Sequence, residues 1–131
     1  MILEKNMSDV ILDINIADTG LFILPDDSST GKTYLTKLLS HLDSNDVLVV
    51  TYDKDKDIMN LKLNKALNSD TVKLICMDRA DLYITNDLLN QIQNKAKNCT
   101  ILIDLKNYES YKVYIKGVAC ILLTEERLSL F

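Results

Sequence analysis

Hydrophobic positions along the chain follow two rhythms that take turns. Short apolar runs at residues 21–24 (LFIL), 47–51 (VLVVT), 72–77 (VKLICM), 100–105 (TILIDL) and 118–123 (VACILL) have strand length, and several are β-branched. Between them the apolar residues fall at helical spacing: Leu35, Leu38, Leu39 and Leu42; more loosely Ile58, Leu61, Leu63 and Leu67; then Leu88, Leu89, Ile92 and Ala96, with Thr85 or Asn86 as N-cap. Strands alternating with helices predict an α/β domain. Its sheet should be mainly parallel, with about five core strands, right-handed crossovers and helices on both faces.

Segments outside this alternation carry weaker signals. Residues 10–16 (VILDINI) alternate in their second half and are followed by turn residues 17–20, which predicts a hairpin strand lying antiparallel beside 21–24. The charges of 53–57 (DKDKD) read as a solvated loop. Tyr108, Tyr111 and Tyr114 fall three apart in the connection 106–116, a pattern of packing more than of base stacking. Residues 128–131 suggest a short edge strand. There are three glycines, one proline and no repeat or linker, so a single domain over 1–131 is expected.

The chemistry concentrates where the run 21–24 stops at Pro25. Seven turn residues follow, Asp26 to Lys32, and then the first helical pattern. Gly31, Lys32 and Thr33 complete the second half of the phosphate-binding pattern GxxxxGKT. Each residue type has a reason: the glycine admits a close phosphate, the helix start offers unpaired N–H groups, Lys32 brings a point charge, and Thr33 can hold Mg²⁺. The first glycine of the pattern is replaced by Asp26. The bland reading of the same residues is a helix cap by Ser29 or Thr30 with Lys32 in water. In a parallel sheet ligands bind at the carboxyl ends of strands. That rule points to 25–33, 51–53, 78–81 and 104–107.

Asp78 ends an apolar strand 46 residues after Lys32, in the order and place a phosphate-loop site needs a carboxylate for magnesium and its waters. With both stretches in hand, the chain resembles the P-loop NTPases: DDSSTGKT is similar to Walker A and VKLICMD to Walker B. The resemblance implies that Ser28, Ser29, Thr30, Gly31, Lys32, Thr33 and Tyr34 line a nucleotide site for ATP or GTP, and that Thr33 and Asp78 hold Mg²⁺. Lys32 is the catalytic lysine it implies, and Asp81 the candidate for orienting water. In the branch of the family with an added strand, residues 100–105 would sit between the two motif strands, with Asp104 in the region that senses the γ-phosphate.

The departures from the pattern point elsewhere. Many hydrolysing members carry a glutamate after the Walker B aspartate, and here that place is Arg79. A carboxylate such as Asp26 about 6 Å from a phosphate charge would cost roughly 3 kcal/mol at an effective dielectric of 20, on the order of a hundredfold in affinity. Two functions are therefore expected in competition. One is a nucleotide-binding protein whose hydrolysis is weak or depends on a partner or on self-association; the other is a degenerate P-loop fold that serves as a non-catalytic protein-interaction module. A small-molecule kinase is disfavoured, since phosphate-clamping lids need several arginines and Arg79 and Arg127 are the only two.

Composition narrows the setting. The chain has 15 basic and 19 acidic residues and a net charge of −4, which argues against broad nucleic-acid binding and suits a basic partner. No apolar run approaches a membrane span and the first residues do not resemble a secretory signal, so a soluble cytoplasmic protein is expected. Cys76, Cys99 and Cys120 lie in or beside apolar runs at no zinc spacing, which reads as buried free thiols. His41, in the last turn of the first helical pattern, is expected to complement the helix dipole.

Overall fold

The computed structural model describes residues 2–5, 10–14, 19–24, 46–106, 114–118, 121–123 and 127–130. The expected phosphate loop and its helix, His41, Tyr108, Tyr111 and Cys120 lie outside the described residues. In chain order the strands are β1 (Ile2–Lys5), β2 (Val10–Ile14), β3 (Gly20–Ile23), β4 (Val47–Val50), β5 (Leu74–Met77), β6 (Thr100–Ile103), β7 (Gly117–Val118), β8 (Ile121–Leu123) and β9 (Arg127–Leu130). Two α-helices are described, α1 (Lys56–Leu67) and α2 (Asn86–Lys95).

The domain is α/β with a parallel sheet at its centre. Four strands of four residues lie in the order β4-β5-β6-β3, all parallel, and the two-residue β7 continues the sheet beyond β3. Every residue of β5 and β6 is buried. Their near-continuous apolar runs are what strands covered on both faces require. Residues 100–105 had been expected between 21–24 and 72–77, and β6 does lie between β3 and β5.

The helices grow from local signals. Asp55 caps α1, its carboxylate accepting from the N–H groups of Asp57 and Ile58, and Asp57 adds a negative charge to the first turn. The segment 53–57 is thus partly a helix start and not only a solvated loop. Of the two caps expected for α2 the chain uses Thr85, whose hydroxyl accepts from Leu88 N–H at 3.1 Å. Leu88, Leu89 and Ile92 face the core from α2, and Met59 and Ala66 from α1.

Three expectations are corrected. Residues 10–14 do not pair with 21–24: both edges of β3 are taken by β6 and β7, and β2 pairs antiparallel with β1 and parallel with β9. The run 118–123 is not one strand. It divides between β7 in the parallel sheet and β8 in a second sheet of order β1-β2-β9-β8. The last strand is no edge, since β9 lies between β2 and β8. In each case an apolar run marks a strand, but partners are set by which edges remain unsatisfied.

Candidate functional site at the carboxyl rim

The register of the parallel sheet builds the site. Val50, Met77, Ile103 and Ile23 stand in one row across β4, β5, β6 and β3. The next residue of each strand, Thr51, Asp78, Asp104 and Leu24, therefore leaves at the same rim. The ladder runs one step further. Asp78 N–H donates to Val50 O at 2.9 Å, Asp104 N–H to Met77 O at 2.9 Å, and Leu24 N–H to Ile103 O at 2.9 Å. The chain thus leaves β3 two strands from Asp78, about 10 Å away by the spacing of sheet strands.

Asp78 is half-buried and Asp104 is buried at 8% exposure. Between them the chain makes a tight turn. Arg79 adopts a left-handed conformation (φ 48°, ψ 48°), the one positive φ outside glycine among the described residues. That conformation is uncommon for a residue with a Cβ. It turns the chain so that Ala80 N–H reaches Asp104 O at 2.8 Å, joining the turn to the neighbouring strand. A single 3-10 turn follows, Ala80–Leu82, and Tyr83 closes it by donating its hydroxyl to Asp78 O at 2.9 Å.

Tyr83 packs against the core. Burial first, and then the negative groups Cys76, Asp78, Asp104 and Asp81, push its phenol well above the ordinary range. The hydroxyl is a permanent donor. Asp81 meets Arg79, Nε to Oδ1 at 3.4 Å, with 20% of its side chain exposed. The aspartate expected to orient water is thus paired with Arg79. Thr51 and Asp53 are bound up in structure: Lys62 of α1 donates to Thr51 O and Oγ1 at 3.3 and 3.2 Å and lies 3.7 Å from Asp53.

Of the residues expected in the site, Asp78 and Asp104 stand at the ends of neighbouring strands on this rim, and Asp81 lies in the turn that follows Asp78. Ser28, Ser29, Thr30, Gly31, Lys32, Thr33 and Tyr34 lie outside the described residues. Sequence reasoning missed Tyr83, whose connection to Asp78 depends on the backbone turn between them. No family model matches this chain, and no curated protein matches it significantly.

Magnesium fits the chemistry of these donors. Carboxylate oxygens are the hard ligands it prefers, and with phosphates bound it takes only one or two of them from protein. Among the described residues there is no group of three or more His, Cys, Asp or Glu side chains that could hold a metal ion.

The opposite rim is different. There the start of β3, the end of α2 and residues 114–116 enclose an open hollow of about 520 Å³. Its lysines have structural uses. Lys116 donates to Thr19 O at 3.3 Å and lies 5.8 Å from the Phe22 ring centroid, while Lys97, just past the C-cap Ala96, accepts the Thr19 hydroxyl on its backbone carbonyl at 3.3 Å. No described helix is long and apolar enough to cross a membrane.

Proposed function

We propose that this chain is a P-loop-like protein that binds ATP or GTP with magnesium at the carboxyl rim, and that hydrolysis is weak or supplied by a partner. The observation carrying this reading is the row Val50, Met77, Ile103 and Ile23, which puts the entry to the 25–33 loop and Asp78 on one rim with β6 between them. That is the strand arrangement expected of the family branch with an added strand. The finer architecture belongs to the same proposal: about five core strands and helices on both faces, the loop helix among them.

In this site the amides of residues 28–34 and the Lys32 ammonium hold phosphate oxygens, while Thr33 and Asp78 hold magnesium. Bound magnesium would neutralise charge on the β- and γ-phosphates. Asp104 stands on the strand between the two motifs, near where the terminal phosphate would lie. Asp81 orients water only after it parts from Arg79.

That ion pair favours the second reading, a degenerate P-loop fold used as a protein-interaction module. A site whose candidate carboxylate is already paired with a cation lacks an evident base. The two readings separate in thermal melting with Mg²⁺-ATP or Mg²⁺-GTP. A nucleotide at one hundred times its dissociation constant should add about 2.7 kcal/mol of stability, and Lys32→Ala should abolish it. No shift with either nucleotide selects the interaction module.

A further inference from the structure

Besides its own backbone bonds, Leu82 N–H to Arg79 O and Tyr83 N–H to Ala80 O, the turn from Asp78 to Tyr83 is held by three more. Asp78 N–H is bound to β4, Ala80 N–H to the strand carrying Asp104, and the Asp78 carbonyl to the Tyr83 hydroxyl at 2.9 Å. The first two are backbone bonds of the sheet and survive any side-chain change. The third depends on one phenol.

We propose that Tyr83 is a positioning residue of the nucleotide site: by holding the Asp78 peptide, its hydroxyl sets how tightly magnesium is taken up with the nucleotide. This rests on the nucleotide-binding reading above. The physical case has three parts. Asp78 is followed directly by Arg79 in a left-handed conformation, so the peptide beside the carboxylate sits in a turn that the chain would not favour alone. The half-buried tyrosine ring packs against the core, which limits how far its oxygen can move. Magnesium demands near-ideal octahedral geometry and tolerates little displacement of a ligand or of the waters a ligand holds. Residues that orient metal-binding groups without touching the metal commonly change affinity by 10- to 100-fold.

The test compares wild type, Tyr83→Phe and Asp78→Asn by following the nucleotide-dependent rise in melting temperature. ATP, and separately GTP, is held fixed while MgCl₂ is titrated, and nucleotide affinity is also measured in excess EDTA. Tyr83→Phe keeps the ring and removes the donor. It should raise the magnesium half-saturation point by about tenfold and leave metal-free nucleotide affinity unchanged, while Asp78→Asn removes the magnesium dependence. Tyr83→Leu, which also lacks the hydroxyl, should match Tyr83→Phe.

A Phe variant with the wild-type magnesium midpoint overturns the proposal. So does an equal loss of affinity with and without magnesium, or a Leu variant much worse than Phe, since either assigns the effect to packing. A wild-type protein that responds to neither nucleotide fails at an earlier point: it removes the nucleotide reading and this inference with it, and is recognised without any variant.

Discussion

The two rims of the parallel sheet are made of the same strands and differ in almost everything else. At the carboxyl rim, successive strands end level and hand their next N–H to a neighbour, and a buried and a half-buried aspartate lie near the half-buried phenol of Tyr83. At the amino rim the chain leaves an open hollow whose Lys116 is spent on a carbonyl and an aromatic ring. Burying carboxylates is unfavourable unless hydrogen bonds or charges compensate. The rim that keeps them is therefore the one where chemistry is expected, and the hollow is not by itself evidence of a site.

The largest test of this contrast concerns rigidity. Ile103 is fully buried in the row that aligns the carboxyl rim, while Ile115 lines the hollow and is only half-buried. Ile103→Ala should cost about 2–5 kcal/mol in urea unfolding, and Ile115→Ala about 1 kcal/mol or less. Equal costs would mean that the hollow is as tightly built as the rim. The nucleotide response should divide in the same way. Lys32→Ala loses the shift of about 2.7 kcal/mol and Lys97→Ala keeps it, whereas a loss in Lys97→Ala alone would move the site to the amino rim.

Much of this rim was legible in the sequence, for a physical reason. Strands covered on both faces are mostly apolar, so 72–77 and 100–105 were readable as strands, and the aspartate that follows β5 and the one that follows β6 fell at the rim by the logic of parallel sheets. Asp78 and Asp104 were found that way. Tyr83 was not. Its bond to Asp78 needs a left-handed residue between them, and that residue is an arginine, which gives no sign of such a turn. The run 118–123 misled for the opposite reason: its apolar pattern is continuous, while the chain changes sheets within it. Asp55 was a readable cap that the surrounding alternation of charge concealed.

Alkaline pH offers a smaller effect. The phenol of Tyr83 is raised above its ordinary value of 10.0 and the thiol of Cys99 above 9.0, in both cases chiefly by burial. The unfolded chain releases these protons first, so it binds fewer protons than the native state above those values. Stability is then full below about pH 9 and falls as pH rises, each group adding at most about 1.4 kcal/mol per pH unit. Tyr83→Phe should remove the part of the decline that begins above pH 10. Parallel curves for the variant and wild type would show that the phenol is no more burdened by the carboxyl rim than it is in water.

The smallest effect bears on whether the rim's strain is functional. A residue with a Cβ in the left-handed region costs on the order of 1 kcal/mol, which glycine avoids, while glycine gives back part of that through greater freedom in the unfolded chain. The exposed Arg79–Asp81 pair contributes little, since 45% of the arginine side chain is open to solvent. Arg79→Gly should therefore change stability by less than about 1 kcal/mol, in the stabilising direction if the strain outweighs the entropy. Its informative readout is phosphate release. The substitution frees Asp81 from its cation and keeps the turn, so basal hydrolysis that rises in Arg79→Gly but not in Arg79→Gly with Asp81→Asn identifies Asp81 as a water-orienting carboxylate held in check by Arg79. A rate that stays at the Lys32→Ala background in every variant favours the interaction module, because then neither the cation nor its partner was holding back any chemistry.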